Sequence, residues 1–209
     1  MFKFVQCTGL DCGLRFPLDP EVHRGAFCPR CGARLEPVSG TQTTVECPPP
    51  GERPARQISA LLDNIRSVYN VGAIFRTADG VGLQHLFLCG LTPTPVENPS
   101  LSKTALGAEL TLPWSQHLNA VALTEQLRED GYSLVGLECT SKATPIYRFK
   151  GEPPDAKPMV LIVGNERAGV DPGILDLCDV VLALPMMGEK ESLNVAVAFG
   201  VAAYWLSYI

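Results

Sequence analysis

Past residue 57 the chain returns repeatedly to one kind of segment: "ISALLD", "HLFLCG", "YSLVGLEC", "MVLIVG" and "DVVLALP". Each is short, rich in Val, Leu and Ile, and stopped by Gly, Pro or a polar residue. A strand with one wet face alternates apolar and polar residues, so runs this continuous belong to strands covered on both faces. The stretches between them, such as 69–81 and 118–130, space their apolar residues three to four apart and run out at glycine. Strand alternating with helix predicts an α/β fold: a mostly parallel sheet with helices on both faces. In such sheets ligands bind beyond the carboxyl ends of the strands.

The 209 residues, 46% of them hydrophobic, suffice for one substantial domain and a small appendage. The first forty residues hold four of the eight cysteines and little periodicity. Between the two parts lies "PVSGTQTTVECPPPGERPAR", whose prolines and polar residues favour an extended connection. The expected organisation is a module over 1–40, a Pro-rich linker over 41–56 and an α/β domain over 57–209. A net charge of -5 excludes a generally basic coat, so any nucleic-acid binding must come from a local patch or small polar modules. Residues 192–209 lack charge but contain only about a dozen consecutive apolar residues, a buried helix rather than a bilayer span. No apolar run precedes the first cysteines as in a secretory signal, so the expectation is a cytoplasmic protein with no membrane partner. In that reducing compartment paired cysteines point to metal.

Cys7-x4-Cys12 and Cys28-x2-Cys31 form two knuckles fifteen residues apart, each followed by glycine. Tetrahedral Zn²⁺ takes four soft ligands, and glycine lets the backbone turn tightly around the thiolates. Four protein ligands leave no open position for water, so the zinc expected here is structural. His23 reads as a surface residue and Cys47 has no evident role, while Cys89, Cys139 and Cys178 lie in or beside apolar strands as buried thiols.

Three polar islands interrupt the α/β pattern. In "LLDNIRSVYNVGAIFRTADGVG" the helical part sets Val71, Ile74, Phe75, Ala78 and Val81 on one side. Arg76 projects from another, a face kept bare by glycine and shared with Gly72 and Asp79 or Gly80. An exposed Arg76–Asp79 ion pair is the bland account of that face, and helix capping that of Asn64 and Asn70. "LIVGNERAGVDPGIL" follows a strand with Gly164, Asn165 and Glu166 in a turn before a proline-initiated helix. It has neither the G-x-G-x-x-G spacing nor a P-loop lysine, which excludes the common dinucleotide and triphosphate sites. In "LPMMGEKESLNVAVAFG" Ser192 is the expected N-cap of the last helix. A weaker element, "SKTALGAEL", offers Lys103 and Gly107-Ala108 as a phosphate-facing loop or a surface turn.

In this order and spacing the islands resemble the SpoU family of the SPOUT methyltransferase superfamily, ribose 2'-O-methyltransferases of tRNA or rRNA. The motifs are "N-x5-N-x-G-A-I-x-R" (Asn64, Asn70, Gly72, Arg76), "GNE" at 164–166 and "PM-x-G-x3-SLN" at 185–194. The resemblance covers residues 57–209 and implies a deep C-terminal trefoil knot, which no pattern argument would have proposed. It also implies S-adenosylmethionine held mainly through backbone groups at Gly164, Leu184, Met186 and Leu193, with Thr140 at the edge. It implies catalytic roles for Arg76, Asn70, Glu166, Ser192 and Asn194, and a homodimer with active sites at its interface. "GNERAG" departs from the family, which often has glycine directly after the glutamate; Arg167 stands there instead.

These observations leave two function classes. The first is methyl transfer to a ribose hydroxyl of RNA; the second is a non-catalytic zinc-containing RNA- or protein-binding adaptor with a ligand-binding α/β domain. The cysteine module either grips RNA or only stabilises itself, and RNA positioning is the expected use.

Overall fold

The computed structural model describes residues 3–19, 21, 25–38, 57–150 and 157–208. It divides into two compact units, Met1–Gly51 and Glu52–Ile209. The expected linker over 41–56, with Cys47, lies outside the described residues, as does His23.

The first unit is an antiparallel sheet of β1 (Lys3–Cys7), β2 (Arg15–Leu18) and β3 (Leu35–Pro37) in the order β2-β1-β3. Among its described residues only Val5, Cys7 and Cys28 are buried. So small an apolar core cannot offset the entropy of ordering the chain, and such a unit needs a cross-link or a metal.

The second unit is a seven-stranded sheet. Its strands are β4 (Ile58–Asp63), β5 (Leu86–Cys89), β6 (Trp114–His117), β7 (Ser133–Leu137), β8 (Thr144–Pro145), β9 (Met159–Val163) and β10 (Val180–Ala183). Their order is β6-β5-β4-β9-β7-β10-β8, with every pair parallel. All five expected strands are present. The short edge strands β6 and β8 are additional, and neither carries an apolar run long enough to stand out in the sequence.

Among the described residues six α-helices complete the unit: α1 (Val68–Val81), α2 (Ser102–Ala105), α3 (Ala108–Thr111), α4 (Ala120–Glu129), α5 (Pro172–Leu175) and α6 (Val195–Ser207). The side chains of β4 and β9 alternate between two cores. Ala60, Leu62, Leu161 and Val163 pack with Phe75 of α1 and Phe199 of α6. Leu61, Val160 and Ile162 pack with Leu127 of α4 and Ile174 of α5. A sheet buried on both faces in this way explains the continuous apolar runs.

Strands β9 and β10 are each inserted between strands laid down earlier: β9 between β4 and β7, β10 between β7 and β8. That insertion brings the carboxyl ends of β4, β9, β7 and β10 side by side although they are far apart in sequence. Among the described residues no helix is long and apolar enough to cross a membrane.

Candidate active site and candidate metal centre

A cavity of about 280 Å³ opens beyond those carboxyl ends, lined by Val163, Leu184, Met186, Leu193 and Ala198 among apolar residues and by Glu138, Glu166 and Ser192 among polar ones. Its two principal walls are the segment after β9 and the segment after β10.

The β9 wall, residues 164–171, is tied down almost atom by atom. Asn165 and Gly169 exchange both backbone hydrogen bonds at 2.9 Å, and the Asn165 side-chain oxygen accepts from the N–H groups of Arg167 and Ala168 at 3.0 and 3.1 Å. Gly169 supplies the left-handed backbone (φ 77°) that closes the loop. Arg167 therefore replaces the family's usual glycine without positive-φ strain, and the turn forms around it. At Gly164 a Cβ would fall on the Val170 nitrogen and the Gly169 carbonyl, so only glycine allows the two limbs to approach.

Beyond the loop, two consecutive N–H groups are received by two carboxylates. Val170 donates to Glu138 Oε2 (2.9 Å) at the end of β7, and Asp171 donates to Asp63 Oδ2 (3.0 Å) at the end of β4. The strands flanking β9 on either side thus anchor the loop that leaves it. Asp63 is only 2% exposed; burial pushes its carboxyl above the usual carboxylate range, against the N–H of Asp171 and the Asn64 amide. Glu138, which lines the cavity, and Asp63, which braces the loop beside it, were not singled out in the sequence, although each is an acid closing an otherwise apolar strand.

Glu166 points from this wall to the start of α1. Its Oε2 accepts from Arg66 N (2.9 Å), and its Oε1 accepts from Ser67 N and Asn70 Nδ2 (both 3.0 Å). Burial alone would raise this carboxyl, but donation from Arg66, Ser67 and Asn70 outweighs it and holds the group below the usual carboxylate range. A carboxylate at a helix N-terminus is also favoured by the helix dipole. Asn70 passes the connection on, its Oδ1 accepting from Asn194 Nδ2 at 3.1 Å. Glu166, Asn70 and Asn194 thus form one hydrogen-bonded chain joining the starts of α1 and α6.

Several expectations about caps and faces are corrected. Asn194, not Ser192, caps α6: its side-chain oxygen accepts from Ala196 N and Val197 N at 2.9 and 3.3 Å. The helix begins at Val195, which puts Ser192 too far back to reach those groups. Ser67, not Asn64 or Asn70, caps α1. Asn64 adopts a left-handed backbone (φ 56°), and its carbonyl accepts from Asn165 Nδ2 at 2.7 Å. The face of α1 at Gly72 is not bare, because a Cβ there would strike Thr104 Oγ1 and lie 2.7 Å from the Leu101 carbonyl. Asp79 accepts from the Thr111 hydroxyl at 3.1 Å. Gly107 N donates to Glu109 Oε2, which gives "SKTALGAEL" a surface-turn character. Cys139 is exposed on the cavity rim, whereas Cys89 is buried and its thiol pushed up to about 12 by burial, then by Asp63. Cys178 is half-buried and pushed up to about 11 by burial, then by Asp179.

The β10 wall contrasts with all this. Among the described residues, no hydrogen bond ties any group of residues 184–193 to the rest of the chain beyond the strand pairing that ends at Ala183. Leu184, Met186, Ser192 and Leu193 line the cavity with their backbone groups unspent. Amide and carbonyl groups of this kind, beside apolar side chains, fit a ligand with a polar nucleoside part and an apolar reacting part. Of the expected site residues, Gly164, Leu184, Met186, Leu193, Glu166, Ser192 and Asn194 line the cavity, and Asn70 bonds to two that do. Thr140 is exposed and outside the lining, which ends on that side at Cys139. Arg76 is exposed on α1, also outside the lining.

In the first unit the sulfurs of Cys7, Cys12, Cys28 and Cys31 all lie within 4.8 Å of one another, with Cys7–Cys31 at 3.3 Å and Cys12–Cys28 at 3.8 Å. A tetrahedron with Zn–S bonds of about 2.3 Å has S···S edges of about 3.8 Å, so the four thiols match one zinc ion. Gly9 N and Arg30 N donate to the Cys7 and Cys28 sulfurs at 3.3 and 3.4 Å, which stabilises thiolates. Gly13 and Gly32, after the second cysteine of each knuckle, both have positive φ (56° and 76°) as the turn requires.

Residues 57–204 match the family model described as SpoU rRNA Methylase family. The chain is 33% identical over 175 residues to the 23S rRNA (guanosine(2553)-2'-O)-methyltransferase RlmP of Bacillus subtilis, covering 83% of this chain and 68% of that protein. It is 31% identical over 140 residues to the 23S rRNA (guanosine-2'-O-)-methyltransferase RlmB of Neisseria meningitidis, covering 67% and 54%. The crystal structure of an AdoMet-bound rRNA methyltransferase from Sinorhizobium meliloti superposes with a TM-score of 0.66 at 25% identity, covering 72% of this chain and 55% of the other. The chain thus spans between about half and two thirds of the length of these relatives. The ordered motifs, the parallel sheet with its inserted strands, and a family match over most of the chain agree: the protein belongs to the SpoU rRNA methylase family.

Proposed function

We propose that the protein transfers a methyl group from S-adenosylmethionine to a ribose 2'-hydroxyl of rRNA or tRNA. The observation that carries this reading is the cavity with one unbonded wall, residues 184–193, lying against the Glu166–Asn70–Asn194 chain. The names of the RlmP and RlmB relatives support the reaction, and the AdoMet-bound neighbour supports the cofactor.

Gly164, Leu184, Met186 and Leu193 would hold the cofactor, through backbone groups and apolar contact. When bound, it supplies a sulfonium methyl group open to in-line displacement. The chain's part is to hold the ribose oxygen about 3 to 3.5 Å from that carbon, opposite sulfur, and much of the rate comes from this positioning. Asn70, Ser192 and Asn194 arrange the ribose. Glu166, ionised and already accepting three hydrogen bonds, is a poor base and acts by fixing Asn70 and the first turn of α1.

The guanidinium of Arg76 offers only hydrogen-bond donors and no acceptor. In our reading it anchors a phosphate next to the reacting ribose, and the hydroxyl proton leaves to water or to a phosphate oxygen. Its place on α1 outside its own cavity fits a homodimer in which it serves the neighbouring site. The exposed apolar stripe of Val197, Val201 and Tyr204 on α6, continued by Tyr208 at its C-terminal cap, is the surface that would pair. That arrangement accounts for a helix apolar all round. The module over 1–40 takes one structural zinc on its four cysteines, with 41–56 as linker and 57–209 as the methyltransferase domain, in the cytoplasm.

Incubating the protein with labelled S-adenosylmethionine and total RNA tests the reading, followed by mapping of the methylated nucleotide. Cofactor binding by calorimetry with no transfer to any RNA would favour the adaptor instead. Arg76→Lys should retain RNA binding and lose most transfer; full turnover by that variant would remove Arg76 from its assigned role.

A further inference from the structure

The cysteine-bearing unit has a face that methyl transfer leaves unused. Phe27, immediately before the buried Cys28, is 61% exposed, and Leu10, in the knuckle between Cys7 and Cys12, is fully exposed. A unit so short of buried apolar surface would gain by covering both, so their exposure points to a partner.

The surroundings of Phe27 indicate which partner. Phe27 and Arg34 are opposite each other in an antiparallel bridge, and directly opposed residues of such a pair project to the same side. An exposed guanidinium therefore stands beside the ring. Arg30, also exposed, lies three residues on, inside the second knuckle. The platform is firm: Thr8 donates to the Arg34 carbonyl through both N (3.0 Å) and Oγ1 (3.1 Å), which ties the knuckle carrying Leu10 to Arg34, the residue that leads into strand β3. Among the acids, Glu36 is nearest along that strand, two residues away.

We infer that this face binds unpaired RNA, with Phe27 stacking on a base and Arg34 and Arg30 on flanking phosphates. An open aromatic ring takes any base by its π-face, whereas a duplex keeps its base faces stacked and out of reach. The flanking cations favour a polyanion over an apolar protein surface. The inference rests on the reading of the protein as an RNA methyltransferase, and adds a second hold on the substrate, carried by the first unit.

The test is anisotropy of the full chain, with zinc in the buffer, against a labelled single-stranded oligoribonucleotide of about 12 nucleotides and the same sequence as a duplex. The single strand should bind more tightly. Phe27→Ala should weaken it roughly tenfold, with Phe27→Tyr close to wild type. Arg34→Gln should lower the slope of log affinity against log salt by about 0.7. Zinc content and S-adenosylmethionine affinity, measured in parallel, should not change in any variant. Equal binding by Phe27→Ala and wild type, or equal binding of duplex and single strand, overturns the inference. So does loss in Phe27→Ala of a protein contact with RNA affinity intact. A wild type that transfers no methyl group to any RNA instead sinks the reading beneath it; transfer by a wild type matched in RNA affinity by Phe27→Ala sinks the inference alone.

Discussion

The two walls of the cavity are built on opposite principles. Residues 164–171 spend nearly every backbone donor within the protein and are gripped by carboxylates from the strands on both sides. Residues 184–193 spend none on described residues. A wall with its groups already paired keeps its shape with or without a ligand and so can orient Glu166 in advance. A wall with unpaired groups gains its partners from what binds, and ordering it draws on binding free energy. In the proposed function the site would divide its work: preorganisation on the β9 side, capture on the β10 side.

The largest effect should come from the preorganised side. Glu166→Ala removes the acceptor of three hydrogen bonds and loosens Asn70, so kcat should fall on the order of a hundredfold while cofactor affinity stays within a few-fold. Single-turnover transfer and calorimetry measure the two; an equal loss in both would mean that Glu166 belongs to the capture side.

Hydrogen exchange compares the walls directly. Without cofactor, amides of 165–171 should exchange at least tenfold more slowly than those of 184–193; adding S-adenosylmethionine should slow the second group and leave the first unchanged. Equal protection before addition would erase the distinction.

Glycines provide a stability version of the same contrast. Gly164→Ala forces a Cβ onto backbone that cannot yield and should cost about 1–3 kcal/mol. At Gly188 a Cβ meets nothing within 4 Å, and Gly188→Ala should change stability by less than about 0.5 kcal/mol. Both tryptophans, Trp114 and Trp205, lie in the larger unit, so denaturant titration followed by their fluorescence reads both variants.

A smaller effect concerns pH. The Glu166 carboxyl lies lower in the folded than in the unfolded protein, so its contribution is complete above the ordinary carboxylate range and disappears as pH falls through the folded value. The difference in melting temperature between wild type and Glu166→Gln should be constant from about pH 7 to 5 and shrink below about pH 4. A constant difference down to pH 3 would show that the charge is not what holds the loop.

Much of this was legible beforehand, and the misses have identifiable causes. The five apolar runs are strands because burial on both faces leaves few polar residues in them, a local signature. Strand β6, "WSQH", is half-buried at an edge and β8 has two residues, so neither leaves a pattern. In "SLN" two good capping residues lie two positions apart, and only the start of α6 decides between them. Gly72 looked like a bare surface because nothing in α1 indicates that residues 101–105 will pack against it. Asp63 and Glu138 looked like ordinary acids at strand ends.

By itself the sequence determined the alternation of strand and helix, the two cysteine knuckles with their glycines, and the family motifs, because each depends on residues near one another in the chain. The insertion of β9 between β4 and β7 was decided only by the tertiary structure. It brings Asp63, Glu138, Val170 and Asp171 within hydrogen-bonding reach and turns Glu166 toward Ser67, 99 residues away. A hydrogen bond acts over about 3 Å, and whether two distant residues come that close is a property of strand order, which no local pattern carries.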